Sequence, residues 1–167
     1  MTTHQTEKPF EIALVLAGAV ACGSYLAGFL DQFLDALDEW EAAKKRRDKN
    51  VPQHQVRIKV IAGASAGGMS AAIFLREAFR RAEIRKNDPK AKDLSKTSLL
   101  KKAWVDSIDI KDLLDSKDLL ESDKVESLLD CTKIDQIADE ILCQYDKYPS
   151  WIDIPYFPKE IKLYLTL

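Results

Sequence analysis

Gly63-Ala64-Ser65-Ala66-Gly67 sets a serine between two glycines at the spacing G-x-S-x-G. A serine so placed can act as an acyl-transfer nucleophile when a sharp strand-to-helix turn strains its backbone and leaves Oγ exposed. Gly63 and Gly67 form the elbow: side chains there would collide with the adjoining strand and helix, and glycine also tolerates the backbone angles of such a turn. The pattern recurs by chance in about one chain in twenty of this length, so its surroundings must decide. Val56 to Ala62, which starts by alternating and finishes apolar as a strand entering a sheet would, leads directly into it, and a helical stripe of Met69, Ala72, Ile73, Leu75, Phe79 and Ala82 leads out. This context makes Ser65 the catalytic candidate. The bland alternative is a tight turn in which Ser65 only caps the helix.

A serine nucleophile needs a base. The two histidines, His4 and His54, both precede Ser65, whereas in the α/β-hydrolase order the histidine follows the serine and the acid. A histidine triad of that order is therefore excluded, and both histidines read as solvated residues of a tail and a loop. Cys22, Cys131 and Cys143 have neither zinc-finger nor paired-thiol spacing. They read as reduced thiols, with no metal and no cofactor expected. Gly63 to Gly68 could also hold an anion at a helix start, but it lacks the Gly-Lys-Ser or Gly-Lys-Thr of a phosphate loop.

The elements that must position Ser65 are legible in the apolar periodicity. Residues 1–9 are polar and aperiodic and read as a disordered tail. Ile12 to Ala17 is a short apolar run suited to a strand buried in a parallel sheet. Leu26, Leu30, Phe33, Leu37 and Trp40 then mark a long amphipathic helix ending in Lys44-Lys45-Arg46-Arg47, where cations meet the negative end of the dipole. Along the second helix Arg76, Arg80, Arg81 and Lys86 occupy the side opposite the apolar stripe. Residues 86–160 read as a mainly helical insertion. In it Ser95 caps a helix with Leu99, Leu100 and Trp104, and Thr132 with Asp135 forms a capping box. Ile161 to Leu167 alternates as a third strand. Strand, helix, strand, helix argues for right-handed crossovers and an α/β fold with a parallel sheet.

Leu14 to Gly28, Leu-Val-Leu-Ala-Gly-Ala-Val-Ala-Cys-Gly-Ser-Tyr-Leu-Ala-Gly, resembles the strand, glycine-rich loop and helix of the patatin-like phospholipases, and the elbow follows at the expected distance. The resemblance covers most of residues 10–86, and Leu163 to Leu167 resembles a later strand of the family. It implies a three-layer α/β/α hydrolase fold with Ser65 as nucleophile of a serine–aspartate dyad. Its oxyanion loop would comprise Gly18, Ala19, Val20 and Gly23, with the amides of Ala19 and Val20 as donors. The usual loop is G-G-G-x-R-G, whereas Ala19, Val20 and Cys22 replace two glycines and the basic residue here. The dyad acid of the family lies in an Asp-Gly-Gly or Asp-Gly-Ala turn, yet no Asp-Gly occurs here and none of the six glycines lies beyond Gly68. The expectation is an amino-terminal portion, residues 10–167, of a hydrolase domain incomplete at its carboxyl end. Asp106, Asp109 and Asp112 read as solvated helix residues rather than replacements.

With 25 basic and 27 acidic side chains interspersed, the net charge is −2, which gives no field to gather nucleic acid. No apolar run is long enough to span a bilayer, and no signal peptide is evident. The expectation is a cytoplasmic protein with peripheral membrane contact, whose substrate by resemblance is an acyl lipid. The competing expectation is a catalytically inert fragment serving as an interaction or scaffold module.

Overall fold

A computed structural model describes residues 8–18, 23–116, 129–143 and 152–166. The predicted tail and the loop residues Ala19, Val20 and Cys22 lie largely or wholly outside them.

Strand β1 (Phe10–Leu16) is followed by helix α1 (Gly23–Lys45), strand β2 (Val56–Ala64) and helix α2 (Ala66–Asn87). A 3-10 turn (Leu94–Thr97) and a short helix α3 (Leu99–Lys101) run into a π turn over Lys102–Asp106. Helices α4 (Ile110–Leu113) and α5 (Thr132–Ala138), the latter continued by a π turn to Cys143, precede strand β3 (Lys162–Thr166). The three strands form a parallel sheet in the order β1-β2-β3. The α/β reading is borne out, as are the two long helices and the three strands within a few residues at their ends.

Apolar spacing sets which face the helices cover. Leu16, Ile58 and Ile61 point into a core shared with Leu30 and Leu34 of α1 and Ala71, Phe74 and Ala78 of α2. Lys59 is the extra residue of a bulge, since Ile12 pairs with Ile58 and Ala13 with Val60. It restores the inward phase of Ile61 and lets Lys59 reach Glu11 at 2.6 Å. The segment before β3 is tied to the same sheet, as Ile58 N donates to Tyr156 O at 2.9 Å.

No described helix covers the opposite face of the sheet. Ala13 and Val15 of β1 are exposed, and all five residues of β3 are exposed although Leu163 and Leu165 sit opposite Ile61 and Gly63. The clean alternation of β3 therefore does not translate into a half-buried strand, because no described helix covers it beyond α2. An all-parallel sheet normally has both faces covered.

Three expectations need correction. The cap of the 99–106 helix is Ser98, whose Oγ accepts from Lys101 N at 2.9 Å, and not Ser95. At α5 the capping oxygen comes from Asp130, whose Oδ1 accepts from Thr132 N at 2.8 Å, and the Thr132 box does not form. Arg76 and Arg81 are buried and do not face solvent, because α1 and α3 pack against that side of α2.

Candidate active site

Parallel strands bring their carboxyl ends together, and in open α/β sheets that end is where ligands bind. Here the pairs Leu16–Gly63 and Gly63–Leu165 align the ends of all three strands. Ser65 is the junction between β2 and α2 and is exposed. Its φ of 50° and ψ of −125° put an L-residue in a region that costs about 1–3 kcal/mol. The surroundings hold it there: Ser65 N donates to Thr166 O of β3 at 3.0 Å, and Ser65 O accepts from Met69 N at 3.1 Å in the first turn of α2.

Both elbow glycines are required for clearance. A Cβ on Gly63 would lie 2.4 Å from Gly67 O, and one on Gly67 would lie 2.2 Å from Leu16 O. None of the described glycines has a positive φ, so the expected angular role of glycine falls instead on Ser65 itself. The capping alternative is also set aside, since the Ser65 side chain makes no capping hydrogen bond. Its Oγ projects from a helix start, whose unpaired amides favour developing negative charge.

The glycine-rich loop approaches this serine from β1. A Cβ on Gly18 would lie 3.1 Å from Ser65 Cβ and 3.0 Å from Ala64 O, so the backbone of Gly18 passes directly beside the nucleophile. Ala19 and Val20, the expected donors, lie outside the described residues. At the far side of the loop Gly23 opens α1 beneath an indole: its Cβ would fall 2.2 Å from Trp104 Cε3. Trp104 is a neighbour of the site that sequence reading treated only as helix packing. Its Nε1 is buried with no described hydrogen-bond partner, and nothing in its local sequence marks this contact.

No carboxylate among the described residues bonds to Ser65. Asp106 pairs with Lys101 at 2.7 Å, Asp109 caps α4 by accepting from Lys111 N at 2.9 Å, and Asp112 is exposed, as a solvated reading requires. His54 stands before β2, eleven residues from Ser65, about 36 Å along an extended chain at 3.3 Å per residue. It is more enclosed than a solvated loop residue, with its ring edge-on to Trp40 at 5.1 Å. His4 lies outside the described residues.

The buried acids belong to a separate network deeper between the helices. Arg81 donates to Glu77 at 2.7 Å, Asp31 at 2.9 Å and Asp35 at 2.6 Å. Ser98 Oγ donates to Asp31 at 2.5 Å, and Leu99 N donates to Glu77 at 3.1 Å. Glu77 lies twelve residues along α2 from Ser65, about 18 Å at 1.5 Å per residue, too far to take its proton. The network instead fixes α3, and through it Trp104, to α1 and α2.

Burial raises the Asp31 carboxyl from 3.8 to about 6, against the lowering effects of the Ser98 hydrogen bond and the Arg81 charge. Burial likewise raises Asp38, which faces Arg85 and the Tyr156 hydroxyl. A folded-state pKa above the unfolded one means that folding takes up a proton. The contribution of Asp31 to stability is thus fully present below about 4 and is lost as pH rises through about 6. The urea midpoint should rise when pH falls from 7 to 5, and this slope should flatten in Asp31→Asn. An unchanged slope in that variant would show that Asp31 is not its source.

A concavity of about 1170 Å³ opens at the other end of the helices between Asp38, Arg85, Lys90 and Ile154 and mixes acidic and basic side chains. No helix among the described residues is long and apolar enough to cross a membrane.

No protein-family profile and no solved structure matches the chain. It is similar to the uncharacterized protein y4iI of Sinorhizobium fredii, with 42% identity over 71 residues. That match takes in 42% of this chain and 10% of the relative, so the likeness is to one small part of a much longer protein.

Proposed function

We propose that this chain carries the nucleophile of a serine acyl hydrolase resembling the patatin-like phospholipases, acting on ester bonds of acyl lipids. The observation that carries the reading is Ser65 at φ 50°, uncapped and exposed at the strand-to-helix elbow. In the proposed reaction Ser65 Oγ attacks the ester carbonyl as its proton passes to a carboxylate supplied from outside the described residues. The backbone of the loop entered at Gly18, with the first turn of α2, gathers the oxyanion. The alcohol leaves with the proton, and water then hydrolyses the acyl-Ser65 ester.

The three-layer α/β/α arrangement belongs to the same proposal, with the third layer seated on the face of the sheet that no described helix covers. So does a cytoplasmic location with peripheral membrane contact. The inert interaction module remains the second reading, favoured by the absence of a described carboxylate at Ser65. Hydrolysis of p-nitrophenyl acyl esters separates the two. Turnover by the wild-type chain should fall to the buffer rate in Ser65→Ala, and equal rates for the two proteins would favour the inert module.

A further inference from the structure

Among the described residues of the three strands and of α1 and α2, the Ser65 end is free of charge to a common depth. In a chain with 52 charged residues (25 basic and 27 acidic), none occurs from Ile12 to Leu30, from Val60 to Leu75, or from Leu163 to Thr166. The first two stretches pass through the carboxyl end of the sheet from strand to helix, and the third runs up to it. Measured from that end, the first charge in α1 is Asp31, about 12 Å along the helix from Gly23, and in α2 it is Arg76, about 15 Å from Ala66. In the strands the first charges are Glu11, Lys59 and Lys162, about 13–16 Å from the strand ends. Five elements thus lose their charges at nearly the same level.

The uncharged zone is also apolar where it meets solvent. Val15 and Tyr25 are each 80% exposed, Phe29 is 54% exposed, and Met69 and Leu165 are exposed beside them. The outward face of α1 over its first half is Ser24, Tyr25, Gly28, Phe29, Gln32 and Ala36, whereas a solvated helix face ordinarily carries charge. Phe29 is braced by a parallel stack on Phe33 with centroids 6.1 Å apart. The segment 99–106, packed on Gly23 through Trp104, brings its charges in pairs, Lys101 with Asp106 and Lys102 with Glu140, each at 2.7 Å.

We infer that this end of the molecule is a lipid-docking surface, which seats Tyr25 and Phe29 in a zwitterionic interface and presents Ser65 to it. The inference rests on reading Ser65 as the nucleophile of a lipid acyl hydrolase, and it names the surface that delivers the substrate. A planar interface imposes one level on every element that enters it, which is the pattern seen. A protein-binding patch instead tends to have a polar rim around a local apolar centre. The lysines that adjoin the zone, Lys101 and Lys102, are each paired with a carboxylate, which matches a surface without net charge, and a tyrosine with its hydroxyl suits the headgroup level.

The test is co-sedimentation of the folded chain with phosphatidylcholine vesicles, with and without added phosphatidylserine. The chain should bind phosphatidylcholine without gain from phosphatidylserine. Tyr25→Glu and Phe29→Glu, both at exposed positions on the outward face of α1, should each weaken binding about tenfold or more. Ser65→Ala should bind as wild type, so loss of catalysis and loss of docking are read separately. Failure of the folded chain to bind phosphatidylcholine would overturn the inference, as would binding that needs phosphatidylserine and survives both variants. Self-association abolished by Tyr25→Glu without vesicle binding would assign the surface to a second copy instead and would equally overturn it.

Discussion

Gly67→Ala is expected to cost about 4 kcal/mol or more of stability, against a typical total of about 5–15 kcal/mol. The new Cβ would fall 2.2 Å from Leu16 O and 2.7 Å from Ala17 O. Both obstacles are backbone, so no side-chain rotation relieves the clash. Strand β1 would have to part from α2, and the Gly18 backbone would leave Ser65 with it. A matched control is Gly28→Ala, whose Cβ meets nothing within 4 Å on the outward face of α1. That change should stabilise by about 0.5–1 kcal/mol, because alanine loses less conformational freedom than glycine in a helix. Urea unfolding of the two variants should therefore shift in opposite directions. A Gly67→Ala loss below about 1 kcal/mol would mean that β1 and the elbow are not packed as described.

Arg81→Met should cost about 3–5 kcal/mol at pH 7. Arg81 is fully buried and makes three carboxylate contacts, to Glu77, Asp31 and Asp35. Methionine keeps much of the volume but leaves Glu77 and Asp31 in a buried setting without that cation. Arg80 holds the other flank of Glu77 at 2.7 Å, so the residual charge falls mainly on Asp31. Since Asp31 takes up a proton near pH 6, the cost should shrink between pH 7 and pH 5. A cost independent of pH would point to lost packing rather than to an uncompensated carboxylate. Because Asp31 also receives the Ser98 hydroxyl, the variant should loosen α3 and raise solvent access to Trp104, which acrylamide quenching would register.

The sequence made Ser65 legible because an apolar strand, a five-residue turn and an amphipathic helix adjoin without interruption. Periodicity likewise marked α1 and α2, whose buried stripes follow a 3.6-residue repeat. What it could not convey were features set by contacts distant along the chain. Arg81 has the local look of a solvated helix residue, and only the packing of Asp31, fifty positions away, makes it a core residue. The acidic pair Asp31 and Asp35 on an otherwise uncharged stretch of α1 was the available hint. Ser98 displaced Ser95 as a cap because its hydroxyl also satisfies Asp31, a benefit invisible in the local pattern. At the elbow, the spacing announced glycines with unusual angles, whereas the strain resides in Ser65, where neighbouring backbone leaves no alternative. The alternation of β3 was read correctly as a strand but said nothing of the face that no described helix covers.

The most direct test of Ser65 as an activated nucleophile is reaction of the folded chain with a fluorophosphonate probe, read by intact mass and peptide mapping. The expected result is a single adduct on Ser65 in wild-type protein and none in Ser65→Ala. Folded protein that stays unlabelled, or that labels equally in the variant, would contradict it.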